Sequence, residues 1–376
     1  MSAYVLLEDG TRFAGEAAGA LRADGHVCGE VVFTTGMAGY QESVTDPSFA
    51  GQLVTFTYPH IGNYGISQAA MESSRPWARA VIMREATNAS DAPHAEAGWL
   101  DWLDAQGVPA ITGVDTRALV RHIRAAGAMR GGLFGGDVAH DEALARVEAE
   151  PPMAGQDLAR VVTPTEVIHH DEGDGPRIAA IDTGIKWSIV NELVARGARV
   201  DLHPCTTSAA DLLATDPDAI FLANGPGDPA ALGYVVDTLR ELVGQKPTWG
   251  ICLGHQLLCQ AVGLETFKLP FGHRGGNHPV KDLTTGRIEI TSQNHGFAGV
   301  GPDGSRTIAT DAPARFQTDA GEAQLTHVNL YDRTVEGLQL LEVHGGTVQY
   351  HPEAGPGPND ARHLFDRFLT DIEGAR

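Results

Sequence analysis

The chain has 376 residues, 42% of them hydrophobic and 20% charged, enough for two domains with ordinary cores in a globular protein. Its formal charge of −21, from 27 basic and 48 acidic residues, argues against a nucleic-acid-binding or anionic-membrane surface, and no basic cluster interrupts that balance. The four cysteines, Cys28, Cys205, Cys252 and Cys259, show no Cys-x-x-Cys spacing and are too few for a disulfide scaffold, so a reducing cytoplasm is the expected compartment.

The first nine residues carry no basic segment and too short an apolar run for a signal peptide, and no stretch approaches the roughly 18 apolar residues of a membrane span. Residues 1–65 read as short strands separated by turn signals at Asp9-Gly10, Asp24-Gly25, Asp46-Pro47 and Tyr58-Pro59. Helix patterns follow: residues 97–103 are amphipathic, and Asp115 is placed to cap a helix over 116–124 that Gly127 ends. The expected first domain, residues 1–150, is thus a mixed β/α unit. Pro151-Pro152 opens a looser stretch that ends in the acidic, glycine-rich run His169 to Pro176, read as a linker over 151–175. The adjacent His169 and His170 lack the spaced partners of a metal site, so no metal is expected there.

From Arg177 strands and helices alternate. Strands are predicted at 178–182, 199–203, 219–223 and 247–251, with helices over 187–196, 230–243 and 254–262. That order implies a doubly wound, mostly parallel sheet for residues 176–376, whose active site belongs at the strands' carboxyl ends. After residue 264 hairpin-like strands precede a closing helix near 359–371.

The chemistry concentrates at Gly250-Ile251-Cys252-Leu253-Gly254, where a buried strand turns into a helix. This is the nucleophile-elbow pattern with sulfur in place of a serine oxygen, and the helix N-terminus behind Cys252 favours thiolate. An unperturbed thiol has a pKa of about 8.5, so full ionisation at pH 7 requires about 2 kcal/mol or more of differential stabilisation. The base candidate is His351, at the end of a short strand over 346–351. Pro352 holds it out of the helical region, and Glu353, two residues on in an extended segment, falls on the same side to fix its tautomer. Sequence alone leaves open that His351 merely ends a strand and that Glu353 is solvated. The loop Asn224-Gly225-Pro226-Gly227-Asp228-Pro229 follows the apolar strand 219–223. The N–H of Gly227, with that of Leu253, is the candidate oxyanion pair. Gly225-x-Gly227-x-x-Ala230 also fits a loose dinucleotide fingerprint, but that motif belongs on the first strand of its domain and this is the third.

These three motifs, in this order and spacing, resemble the class I (triad) glutamine amidotransferases over residues 176–376. A narrower resemblance, to the small glutamine-hydrolysing subunit of carbamoyl-phosphate synthase, rests on Gly275-Gly276-Asn277-His278-Pro279, Ser292-Gln293-Asn294-His295-Gly296-Phe297 and Tyr350-His351-Pro352-Glu353-Ala354. The N-terminal half agrees through Leu7-Glu8-Asp9-Gly10-Thr11, Gly39-Tyr40-Gln41-Glu42, Thr45-Asp46-Pro47-Ser48 and Tyr58-Pro59-His60-Ile61-Gly62-Asn63. The resemblance implies a flavodoxin-like amidotransferase fold and a triad of Cys252, His351 and Glu353. It further implies glutamine contacts at Ser48, Gly225, Gly227, Leu253, Gln256, Asn294, Gly296 and Phe297. Without it, Ser48 reads as a turn residue and Gln256 as a helix-surface glutamine. It assigns no chemistry to His60 or His295. Arg274 stands where histidine is more usual.

The resemblance also implies that L-glutamine is the substrate, and that a large synthetase subunit takes the ammonia through a tunnel and uses ATP, magnesium and bicarbonate, the two chains forming a heterodimer. No cofactor, metal, nucleic acid or membrane is expected on this chain. Three other readings compete: a glutaminase component for guanylate, anthranilate or aminodeoxychorismate synthesis, opposed by the 1–150 domain; a stand-alone thiol hydrolase or peptidase, opposed by Gln256 and the 292–297 segment; and a non-catalytic scaffold with a degenerate site, opposed by the intact Cys252, His351 and Glu353.

Overall fold

The computed structural model describes residues 1–171, 173–308 and 314–375. It falls into two units, Met1–Gln156 with Pro270–Gly275, and Asp157–Leu269 with Gly276–Arg376.

In the first unit the strands are β1 Ser2–Leu7, β2 Arg12–Gly19, β3 His26–Thr34, β4 Gln52–Phe56, β5 His60–Ile61, β6 Ala80–Ile82, β7 Glu85–Ala86, β8 Pro109–Thr112 and β9 Met129–Gly135. The helices are α1 Tyr40–Thr45, α2 Trp99–Ala105, α3 Thr116–Ala126 and α4 His140–Ala149. Seven of the strands close a barrel in the order β1-β2-β8-β6-β4-β3-β9. Successive side chains point to opposite faces of a strand. Val31 and Phe33 therefore join one apolar cluster with Leu119 and Ile123 of α3, while Val32 joins another with Trp99 and Leu103 of α2. Asp115 caps α3, accepting from the Ala118 N–H at 3.0 Å, and Gly127 ends it at φ 99°. Closure of the barrel is a finding that turn signals could not announce. Those signals mark local hairpins, whereas the closing pairs join β2 to β8 and β1 to β9 across most of the unit.

The second unit opens with α5 Ala159–Val162 and β10 Ile168–His170, within the stretch expected to be only a linker. β10 is three residues long with a single apolar side chain, Ile168, which hid it from a periodicity reading. It pairs antiparallel with a later strand, and His169 Nδ1 and Arg177 Nε both reach Asp201, each at 2.5 Å. There follow β11 Arg177–Asp182, α6 Trp187–Val194, β12 Arg199–Pro204, α7 Ala209–Ala214, β13 Ala219–Leu222, α8 Gly233–Leu242, β14 Thr248–Ile251 and α9 Leu253–Ala261. The remaining elements are β15 Thr266–Asp282, β16 Ile288–Gly299, β17 Ala314–Thr318, β18 Gly321–Asn329, β19 Val335–Leu340, β20 Gly345–Val348 and α10 His363–Ala375.

Five strands, β12-β11-β13-β14-β20, pair in parallel as the centre of the sheet, and antiparallel β19, β18 and β15 extend it. The parallel strands are apolar without alternation because both faces are covered. Ile220 and Leu222 pack with Leu239 of α8 and Leu257 of α9, whereas Phe221 packs on the other face with Ile189 of α6 and Phe368 of α10. The order reverses between β11 and β13, and the carboxyl ends of strands at such a reversal are where open α/β sheets bind ligands. The ends of β11, β13, β14 and β20 all meet this edge. Among the described residues no helix is long and apolar enough to cross a membrane.

Candidate active site

Cys252 lies between the end of β14 and the start of α9, with φ 56° and ψ −103°. A non-glycine residue there is strained, a cost of about 1–3 kcal/mol that persists only where packing over-determines the turn. Its N–H donates to the Val348 carbonyl of β20 at 2.9 Å, and its carbonyl accepts the Gln256 N–H at 3.2 Å. The elbow sits so close to β13 that a Cβ on Gly254 would lie 2.4 Å from the Leu222 carbonyl oxygen. The Cys252 side chain is buried, with Sγ 3.5 Å from the Asn294 carbonyl of β16.

His351 follows β20 and bridges to β16 through its N–H, which donates to the Ser292 carbonyl at 2.9 Å. Its Nδ1 lies 2.7 Å from Glu353 Oε1. The approach differs from the extended geometry expected: Ala354 N–H donates to the His351 carbonyl at 3.2 Å, so a turn rather than a strand brings the carboxylate back to the ring. Pro352 suits that turn. His351 Nε2 is buried with no hydrogen-bond partner by distance and angle, and the Cys252 sulfur is the group that couples to this ring besides Glu353.

A residue the sequence reading passed over completes the cluster. Lys186, just past the end of β11, is buried and directs Nζ to Glu353 Oε1 at 2.8 Å and to the Ala354 carbonyl at 2.7 Å. Ala354 adopts φ 63°, which turns that carbonyl toward the ammonium. The available signal was a lone lysine directly after a buried strand at the sheet's carboxyl edge, where an unpaired charge would be costly. Its backbone N–H donates to Asn224 Oδ1 at 3.1 Å, tying the end of β11 to the loop after β13.

Burial alone would push the His351 imidazole down, but the Glu353 carboxylate and the Cys252 sulfur outweigh it and raise the ring to about 10. Burial alone would likewise raise Glu353, but Lys186 and His351 hold it down at about 2. The proton therefore stays on the ring and the negative charge on the carboxylate. Because the His351 shift is upward, its contribution to stability is complete below about pH 6.5 and is lost as pH rises toward 10. Glu353 shifts downward, so its contribution is complete above about pH 4.5 and is lost as pH falls toward 2. Chemical denaturation at pH 6.5 and pH 10 should show wild type losing more stability across that interval than His351→Asn. Equal losses would contradict the paired ring.

The other cysteines lie elsewhere. Cys259 is fully buried against His255 Nε2 at 3.7 Å, and burial pushes its thiol up to about 12. Burial, aided by Glu150, raises Cys28 to about 11, and Cys205 Sγ lies 3.4 Å from the Tyr234 hydroxyl.

Several of the residues implied as glutamine contacts gather around Cys252. Gly225 brings its loop so near that a Cβ there would lie 2.1 Å from the Thr183 carbonyl and 3.0 Å from Leu253 Cδ2. Gly227, two residues on, takes φ 94°. Leu253 opens α9, where N–H groups have no intrahelical acceptor. Asn294, Gly296 and Phe297 lie on β16, where the Asn294 carbonyl is the group 3.5 Å from the sulfur. Gln256 is the exception in detail: its Nε2 donates to the Phe297 carbonyl at 2.8 Å and to Gln349 Oε1 at 3.1 Å, so only its Oε1 is left to meet a substrate. Ser48 belongs to the first unit, in the turn Pro47–Phe49, with its N–H donating to Asp46 Oδ1 at 2.8 Å.

The family model for class-I glutamine amidotransferases matches residues 179–370, so the second unit is an amidotransferase domain of that class. The model for the CPSase domain of the carbamoyl-phosphate synthase small chain matches residues 5–133. The carbamoyl phosphate synthase small chain of Syntrophotalea carbinolica is 45% identical, with 100% of this chain and 99% of that protein aligned. Those of Symbiobacterium thermophilum (45% identical, 98% of each chain) and Streptomyces coelicolor (44%, 100% of this chain and 97% of the other) are similar as well. The chain belongs to the carbamoyl-phosphate synthase small chain family.

Proposed function

We propose that this chain is the glutamine-hydrolysing component of a carbamoyl-phosphate synthase and that Cys252, His351 and Glu353 carry the reaction. One observation supports the residue roles above all: His351 is fixed through Nδ1 on a buried carboxylate, and the Cys252 sulfur at its elbow is, with that carboxylate, what raises the ring. Cys252 gives its proton to His351, and its Sγ attacks the side-chain amide carbon of L-glutamine. The tetrahedral intermediate collapses when His351 returns that proton to the departing nitrogen, releasing ammonia and leaving a γ-glutamyl thioester. Water, deprotonated by the same ring, cleaves the thioester to glutamate and restores the thiol. Glu353 fixes the ring tautomer, and Lys186 keeps Glu353 ionised and in place. The N–H groups of Gly227 and Leu253 hold the oxyanion, an interaction commonly worth about 3–4 kcal/mol per donor in the transition state. Ser48, Gly225, Gln256, Asn294, Gly296 and Phe297 contact the substrate.

The ammonia passes to a large subunit, the partner in a heterodimer, which supplies ATP and magnesium and makes carbamoyl phosphate for arginine and pyrimidine synthesis in the cytoplasm. Residues 1–150 form the domain peculiar to the small subunit and residues 176–376 a doubly wound, flavodoxin-like amidotransferase domain. An electrophilic glutamine analogue should modify Cys252 ahead of Cys28, Cys205 and Cys259, as read by peptide mass spectrometry. Even modification of all four would remove the basis for an activated thiol at the elbow.

A further inference from the structure

The segment Asn294–Phe297 is anchored from beneath by a run of buried side chains whose hydrogens can be counted. The Phe297 carbonyl can only accept, and His295 Nδ1 lies 2.7 Å from it, so Nδ1 carries a hydrogen. On the other side of the ring, Nε2 faces the Gln293 amide at 2.9 Å. Whether that amide presents oxygen or NH₂ to the ring decides the ring's charge.

Two neighbours settle the orientation of Gln293. Thr291 Oγ1 has one hydrogen and gives it to the His278 carbonyl at 2.9 Å. Toward Gln293, at 3.2 Å, it can only accept, so Gln293 must present its NH₂. Glu336 Oε2 lies 2.9 Å from the same nitrogen. Its Oε1 accepts from Asn329 Nδ2 at 2.9 Å, and Asn329 is itself fixed because its Oδ1 accepts the Tyr331 N–H at 2.9 Å. Gln293 Oε1 is thereby left facing His295, and Nε2 must donate to it. A neutral His295 would require the reversed amide, for which Thr291 must give up its bond to the His278 carbonyl and Glu336 must be protonated.

We propose that Glu336, acting through Gln293, holds His295 as a buried imidazolium that clamps the Phe297 carbonyl, making Glu336 a positioning residue for the glutamine site. Glu336, Gln293 and His295 are all buried, at 0%, 2% and 5% exposure, so a cation there calls for an opposite charge within the same network. Its bond to the Phe297 carbonyl is charge-assisted and stronger than a neutral imidazole could make. The same carbonyl accepts Gln256 Nε2, so the clamp fixes both the strand beside Cys252 and the glutamine side chain facing it. The charge state of the ring is argued from these hydrogen bonds in a cluster that also holds His273, a nitrogen of which lies within 4.8 Å of His295 and Glu336; its effect on substrate rests on the function proposed above.

Nitrogen-15 NMR of the full chain with ring-labelled histidine at pH 8 tests the charge, with the His295 signals assigned by their loss in His295→Asn. An ordinary histidine, with pKa about 6.5, is neutral at that pH. The expected wild-type His295 has both nitrogens protonated. Glu336→Gln keeps the side chain's shape and donates to Gln293 Oε1; the Gln293 amide reverses, the Thr291 hydroxyl turns from the His278 carbonyl to donate to it, and His295 Nε2 is left unprotonated, while Glu336→Asp retains the imidazolium. In the complex with the large subunit, Glu336→Gln should raise the glutamine KM about tenfold, the scale of one charge-assisted bond weakened, with kcat changed far less, and Glu336→Asp should restore much of it. A neutral His295 in wild type, or one still doubly protonated in Glu336→Gln, overturns the proposal. An altered ring with an unchanged KM overturns the positioning role. Should Glu336→Gln fail to fold, the wild-type spectrum and Glu336→Asp decide. Failure of the wild-type complex to hydrolyse glutamine would count against the proposed function and leave the ring's charge as measured.

Discussion

Cys252→Ser should abolish glutamine-dependent carbamoyl-phosphate formation by the two-subunit enzyme and leave ammonia-dependent formation. The expected fall in glutaminase turnover exceeds about 10⁴-fold, the scale on which removal of a nucleophile acts when its base and oxyanion donors have nothing left to assist. The change is nearly isosteric, so the strained turn between β14 and α9 should survive it and thermal stability should stay close to wild type. A serine oxygen at the same place meets the same ring but is far less nucleophilic at neutral pH than sulfur. A variant that still uses glutamine at a tenth of the wild-type rate would show that another group attacks the amide.

Lys186→Met should give the largest loss of stability of any single change at the site. It leaves Glu353 wholly buried with one of its two cationic partners removed. Breaking a buried ion pair by deleting one member typically costs about 3–5 kcal/mol, because the survivor's charge stays desolvated. The carboxyl group should become easier to protonate, and the His351 ring should lose the acceptor that orients it. Guanidinium denaturation should show the loss, and adding Glu353→Gln should recover part of it, since the stranded charge is then gone. Strictly additive losses in the double variant would mean that the two side chains do not act as a pair.

What the sequence could and could not reveal divides along physical lines. The parallel strands of the second unit were legible because burial on both faces leaves unbroken apolar runs, as in Ile178 to Ile181 and Ala219 to Leu222. The elbow at Cys252 was legible because glycine is needed where a turn packs against the next strand, as at Gly254. Closure of the seven-stranded barrel was not, since it depends on pairs distant in sequence that leave no local pattern. β10 was lost for a related reason: three residues, two of them histidines, on an edge strand look like a linker. Lys186 was missed because its partner stands 167 residues away, and a lysine carries no periodic mark of being buried. The tie from Glu353 to His351 was anticipated, but through an extended segment rather than the turn that forms it. Gln256 shows the limit on residue roles: helical spacing placed it beside the nucleophile, yet its NH₂ is committed to Phe297 and Gln349, and only hydrogen-bond geometry reveals which atom is left for substrate.

The central claim is that the Cys252 sulfur becomes covalently joined to the glutamine side chain. Mixing the two-subunit enzyme with glutamine, quenching in acid within a turnover and weighing the peptides tests it directly. The account expects the peptide bearing Cys252 to carry a γ-glutamyl group that hydroxylamine removes. Its absence during demonstrable turnover, or its appearance on Cys28, Cys205 or Cys259 instead, would contradict the mechanism.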